Sequence, residues 1–214
     1  LTPTVFFQEP EETKLEAAQR KVAELEEELG PDHLDLVDAW SDVVMAYYQE
    51  GQYEAVEEGC RRILKIQEKA LGSDHIDVAT TLNNFAAFMV FQGSNAEARP
   101  LFERSLEILE TTLGPEHEQV ADILNNLAQV LGNLGSHTKA LPLHERALAI
   151  KEKVLGPEHP SLGLYLNNLA VLLQTMGAYS EAYPLFERAL AIYEKSLGPD
   201  HRDVATTLNN LAGL

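Results

Sequence analysis

The chain has little of what marks several protein classes. It holds one cysteine, Cys60, so no disulfide can close within it, which fits a reducing compartment. No stretch approaches the ~18 consecutive apolar residues that a membrane span needs. Basic residues are scarce: 16 Lys and Arg face 34 Asp and Glu, for a formal charge of -18. Such a surface repels phosphate backbones and anionic lipid, which argues against nucleic acid and membrane as partners. It either steers basic or neutral protein and peptide partners inward or simply keeps an apolar-cored chain dispersed. No Gly-rich phosphate loop, Ser-His-Asp set or isolated carboxylate pair stands out, so neither catalysis nor a cofactor is expected. No secretory or transit segment opens the chain, and a cytoplasmic location is the expectation.

What the chain does contain is a period. Leu-Gly-Pro-Glu-His-x-x-x-Ala-x-x-Leu-Asn-Asn-Leu-Ala, at Leu113 to Ala128, returns with small changes at Leu29, Leu71, Leu155 and Leu197, each start 42 residues after the last. A fixed period of this length in helix-compatible residues marks a stacked helical array, in which each unit buries its apolar face against its neighbours. One array is expected over residues 11–214: a half repeat at 11–28, whole repeats at 29–70, 71–112, 113–154 and 155–196, and a half repeat at 197–214. Residues 1–10 form a lead with no period. The first residue is not Met and the sequence stops within a repeat, so a fragment of a longer protein is expected.

Each repeat reads as two helices, A and B. Gly51, Gly93, Gly135 and Gly177 interrupt the apolar pattern midway. The glycines at 30, 72, 114, 156 and 198 follow helix B, where a left-handed residue ends a helix at little cost, and Pro at 31, 115, 157 and 199 prevents continuation. Pro160 reads as the first residue of its helix A, with His159 as the cap. Pro100, Pro142 and Pro184 fall in or just past the first turn of helix B, so each removes at most one backbone hydrogen bond. The half repeat reads as a helix from Glu11 to Leu29 with Leu15, Ala18, Val22 and Leu25 on its apolar side.

Leu-Asn-Asn-Leu-Ala, the mid-repeat Gly51-Gln52-Tyr53 with its later Ala182 counterpart, and Pro-Leu-Phe-Glu-Arg-Ala-Leu-x-Ile together resemble the tetratricopeptide repeat. The 42-residue period and the Leu-Gly-Pro-Asp-His junction resemble the kinesin-light-chain-like subclass. The resemblance implies an all-α fold, a right-handed superhelical array of antiparallel helix pairs whose concave face holds ligands. It implies a protein-interaction scaffold or adaptor.

Turning helix A by about 100° per residue separates its faces. In the third whole repeat Leu124, Leu127, Ala128 and Leu131 fall on the core side, and Asp122, Asn125, Gln129 and Asn133 on the other, expected to line the groove. Helix B adds Ala98, Phe102 and Leu106, or Ala182, Phe186 and Leu190, to the core. Equivalent groove positions are Asp38, Ser41, Met45, Tyr48 and Gln49; Thr80, Asn83, Ala87, Val90 and Phe91; Leu164, Asn167, Val171, Gln174 and Thr175; and Thr206 with Asn209.

Asn83, Asn125, Asn167 and Asn209 form a ladder, with Ser41 in place of a first rung. An amide both donates and accepts, so such a file suits an extended peptide backbone; joining adjacent repeats is the other role it could serve. The second Asn file, at 84, 126, 168 and 210, projects towards the neighbouring helix and reads as a bridge between repeats. No Lys or Arg occupies these helix A positions, which argues against a receptor for a chaperone's C-terminal carboxylate.

His33, His75, His117, His159 and His201 recur once per unit, too far apart across packed helices to share one ion, and read as junction caps. His144 replaces the Phe of its neighbours, and Cys60 aligns with the same buried position. The leading expectation is a scaffold that binds an extended partner segment. The alternative is an array that self-assembles, through the bare face of Leu208, Leu211 and Leu214, or that controls an attached domain. Val5-Phe6-Phe7, followed by acidic residues, is a candidate for docking into the chain's own groove.

Overall fold

The computed structural model describes residues 12–214, and all regular structure there is helical. The order is α1 (Lys14–Leu29), α2 (Leu36–Gln49), α3 (Tyr53–Leu71), α4 (Ile76–Phe91), α5 (Asn95–Leu113), α6 (Glu118–Asn133), α7 (His137–Leu155), α8 (Leu162–Thr175), α9 (Tyr179–Leu197) and α10 (Arg202–Ala212). Helices A are the even-numbered ones and helices B the odd. The described chain divides into two compact units, residues 12–81 and 82–214. Val5-Phe6-Phe7 lies outside the described residues.

In the first unit α1 packs on α2 and α2 on α3. Ala18 and Val22 meet Ala39 and Val43, with Leu15, Leu25, Trp40 and Tyr47 around them. The helix α1 starts at Lys14 rather than Glu11 because Thr13 caps it. The Thr13 hydroxyl accepts from the Glu16 N–H while the Glu16 carboxylate accepts from the Thr13 N–H, a closed capping box. In α3, Gly59 is buried, and a Cβ there would collide with the Val44 side chain, so glycine sets how near α3 lies to α2.

In the second unit each helix from α5 onward packs on its successor, and α6 also touches α8, the same helix of the next repeat. Leu124, Leu127, Ala128 and Leu131 are all buried, as the 100° turn requires, and so are Ala98, Phe102, Ala182 and Phe186. Leu106 and Leu190 are only half-buried. Full burial of each large apolar side chain contributes about 1.5–3 kcal/mol, and the repeat supplies such groups in every turn.

The junction works as a stop and a start. Gly114 ends α5 with its N–H on the Glu110 carbonyl at 3.1 Å, at φ 91° and ψ 154°. The positive φ matches the sequence expectation, but the ψ lies outside the left-handed helical region, in one that glycine alone occupies readily. His117 then accepts the Gln119 N–H at Nδ1, 3.2 Å away, and caps α6. The same bond recurs at His33, His75, His159 and His201. Arg146 braces the corner by donating to the Glu110 carboxylate at 2.6 Å and to the Pro115 carbonyl at 2.8 Å.

One start differs from expectation. Regular helix in α8 begins at Leu162, not at Pro160, because the entry turn closes with shorter-range bonds, Leu162 N–H to the His159 carbonyl and Gly163 N–H to the Pro160 carbonyl. Pro160 therefore precedes the helix. Pro100, Pro142 and Pro184 each sit six residues into a helix B, where one backbone bond is missing. No helix among the described residues is long and apolar enough to cross a membrane.

Candidate functional site

In the first unit Ser41, Met45 and Tyr48 lie exposed on α2. Ser41 spends its hydroxyl proton on the Val37 carbonyl at 2.8 Å, and the Tyr48 ring stands 6.3 Å from that of Tyr53. Met45, Ala46 and Gln49 face Lys14, Ala17 and Lys21 of α1 across a cleft of about 380 Å³. Lys21 donates to Asp42 at 3.0 Å. The basic lining comes from helix B of the preceding half repeat, which a reading confined to helix A misses.

In the second unit Phe91, Gln129, Asn133, Leu164, Val171 and Asn209 are exposed, while Asn83, Asp122, Asn167 and Gln174 are half-buried. Asn125 departs from the rest, with only 4% of its surface exposed. The second Asn file bonds to the first. Asn126 donates to the Asn83 side-chain oxygen, Asn168 to that of Asn125 and Asn210 to that of Asn167, each at 3.1 Å. Each bond crosses from one repeat to the next, so the second file bridges repeats as expected and consumes the acceptor of the first. Asn83 further donates to Asn84 at 3.3 Å. Among the described residues no protein acceptor takes the amide protons of Asn125 or Asn167.

Asp122 belongs to a polar cluster rather than to an open face. Lys151, only 5% exposed at its side chain, places Nζ 2.8 Å from Glu118 and 2.9 Å from Asp122. The Tyr165 hydroxyl also donates to Asp122, and the ammonium lies 5.4 Å from the Tyr165 ring centre. The Lys151 hydrogen bond holds the Glu118 carboxyl below its ordinary range, and burial together with Asp122 pushes the Tyr165 phenol upward. Lys151 occupies a position filled by Leu109 and Tyr193 in adjacent repeats. Comparing repeats column by column would have found it; searching for groove residues did not.

A cavity of about 270 Å³ opens between α6, α7 and α8. Gln129 and Asn133 from α6 meet Val171 from α8 there, together with Gly132, His144 and Asn168. His144 is 4% exposed, its Nδ1 has no hydrogen-bond partner among the described residues, and burial lowers its pKa to about 4. His144 is buried like the Phe102 and Phe186 of its column, and it lines the cavity. Cys60, in the same column, is buried, and desolvation raises its thiol pKa to about 11, a core residue rather than a nucleophile. Among the described residues no group of His, Cys, Asp or Glu is placed to hold a metal ion.

No curated protein matches the chain. Several solved structures do. BtubC (BKLC) from P. vanneervenii is 24% identical over 94% of this chain and 81% of its own, with a TM-score of 0.77, a likeness of fold. A Podosopora anserina protein of kinesin-light-chain type with nearly identical TPR-like repeats is 28% identical over 86% of both chains, with a TM-score of 0.74. The apo form of RapI, 19% identical over 93% of this chain and 57% of its own, has a TM-score of 0.74 and again shares the fold. The tetratricopeptide repeat model matches residues 35–111, 77–153, 119–195 and 164–214, the first three beginning one period apart. With helix pairs bridged by paired asparagines at that same period, the chain belongs to the tetratricopeptide repeat family, a family of non-catalytic interaction scaffolds.

Proposed function

We propose that the helix A face of residues 82–214 binds an extended segment of a partner protein. One observation carries the reading: after the inter-repeat bridges form, the amide protons of Asn125 and Asn167 remain without an acceptor among the described residues. A peptide carbonyl supplies one. Asn167, half-buried, and Asn209, exposed, are the rungs most open to a ligand, with Leu164 and Val171 as apolar contacts and Gln129, Asn133 and Gln174 beside them. Asn125 anchors the row from beneath. In the first unit Ser41, Met45 and Tyr48 are exposed on α2, and Met45 stands beside Lys14 and Lys21.

The test uses a peptide selected from a displayed random library against the whole chain. Asn167→Asp keeps the oxygen that accepts from Asn210 and removes the free donor; Asn209→Ala removes the next rung. Each lost hydrogen bond should weaken binding by about 0.5–1.5 kcal/mol with the melting temperature unchanged. Unaltered affinity in the double variant would sink the proposal.

A second reading, self-assembly, rests on α10, where Leu208 is 48% exposed. Light scattering decides it: a mass that stays monomeric at every concentration removes this reading.

A further inference from the structure

The repeats act as internal controls on one another, and two of their departures meet in one place. The column that holds Gly132 carries Tyr48, Val90 and Gln174 in the other repeats. The column that holds His144 carries Phe102 and Phe186, both fully buried, and Cys60. Only in the third whole repeat are both positions changed, one to nothing and one to an imidazole, and both line the cavity between α6, α7 and α8. A Cβ on Gly132 would lie 3.7 Å from Leu172 Cδ1, an ordinary contact, so close packing does not demand glycine there. The missing side chain leaves space.

Three polar side chains around that space each direct a proton to a protein acceptor, and Gln129 and His137 complete its polar lining. Asn133 donates to the Asn95 side-chain oxygen at 3.0 Å, Asn168 to that of Asn125 at 3.1 Å, and the Thr175 hydroxyl to the Val171 carbonyl at 2.8 Å. Each keeps an oxygen with lone pairs to offer. Among the described residues no Lys, Arg, Asp or Glu lines the cavity; His137 and His144 do, and burial keeps His144 neutral at ordinary pH. Ala128, Val171 and Leu172 make the wall apolar. The ligand that fits donates from several atoms, carries an apolar stem and is attracted to a chain of formal charge -18.

We propose that this cavity is a specificity pocket for one arginine side chain of a bound partner segment. The guanidinium is planar, donates in several directions at once and is weakly enough hydrated to enter a pocket lacking a carboxylate, whereas an ammonium is a strongly hydrated point charge. Its stem lies along Val171 and Leu172 while its donors meet Asn133, Asn168 and Thr175. The assignment rests on reading the helix A face as the partner's seat, and it names the chemistry that the seat selects.

The experiment needs no peptide, so it can fail independently of that reading. The whole chain is titrated with n-propylguanidinium, n-butylammonium, propionamide and para-cresol at constant ionic strength, following the Gly132 amide and His144 ring by NMR. The expected result is a saturable shift of both signals with n-propylguanidinium and responses several-fold weaker for the other three. Gly132→Val, which copies Val90, should abolish the shift without lowering the melting temperature. His144→Phe, which copies Phe102, should weaken it. An equal response to n-butylammonium would reduce the site to unselective charge attraction and overturn the assignment. So would a stronger response to para-cresol or propionamide, no saturation, or persistence in Gly132→Val. If n-propylguanidinium binds while the Asn167 and Asn209 variants leave peptide affinity intact, the pocket stands and the peptide reading falls.

Discussion

His144 stands where adjacent repeats bury Phe102 and Phe186, and its Nδ1 finds no partner among the described residues. Replacing a buried, unsatisfied polar atom by the apolar group of its own column should stabilise the protein, and His144→Phe is expected to gain about 1–3 kcal/mol in urea unfolding at neutral pH. The titration of His144 has a definite sign. Its pKa falls from 6.5 to about 4 on folding, so between those values the unfolded chain binds a proton that the native one does not. Stability is therefore full above about pH 6.5 and declines as pH falls towards about 4. From about pH 7 to about pH 5 this group alone should cost about 2 kcal/mol, a slope that His144→Phe should remove. Lys151 makes a second contrast. Its side chain is 5% exposed while those of Glu118 and Asp122 are about half exposed. Lys151→Met leaves carboxylates that water can reach, whereas Glu118→Gln with Asp122→Asn strands a buried cation. The double variant should lose about 3–5 kcal/mol and Lys151→Met clearly less, read from melting curves and denaturant midpoints.

Helices in this chain are joined by asparagine pairs, and the cost of breaking a pair depends on what it leaves behind. Asn168→Ala strips the donor from Asn125, whose oxygen is then buried and unpaired; a loss of about 1–3 kcal/mol is expected. Asn84 is exposed and accepts from its neighbour Asn83, so Asn84→Ala should cost within about 0.5 kcal/mol. Similar costs for the two variants would show that the inter-repeat bridge adds nothing. Two glycines give opposite expectations. At Gly114, φ 91° with ψ 154° excludes a Cβ on backbone grounds, and Gly114→Ala should destabilise by about 1–3 kcal/mol. Gly132 is an ordinary helical residue, and Gly132→Ala should gain roughly 0.5–1 kcal/mol from helix propensity, less whatever its position in the last turn takes away. The helix boundaries were readable from these signals because Gly, Pro and His act locally. Where a boundary moved, at Thr13 and at Leu162, the cause was a side-chain box or a tight entry turn whose geometry the residue pattern does not specify.

Across the whole molecule the dominant property is charge. A formal charge of -18 repels itself in the folded state and attracts cations over a Debye length of about 8 Å at physiological salt. Raising salt from about 0.05 M to about 0.5 M should therefore raise the melting temperature and slow association with an arginine-bearing peptide. Stopped-flow rates that ignore salt would show that the acidic surface serves only to keep the chain dispersed.

The sequence by itself determined the helix pairs, their 42-residue spacing, the capping histidines and the core columns, since periodicity and local backbone chemistry act over a few residues. It also placed both asparagine files. Only the tertiary structure decided how the files interact: bridging across repeats consumed the acceptors of Asn83, Asn125 and Asn167, and packing buried Asn125 alone of the three. The Lys151 cluster and the cavity at Gly132 and His144 were hidden for the same reason. Each gathers residues from helices separated along the chain, and which of them meet is fixed by packing rather than by spacing.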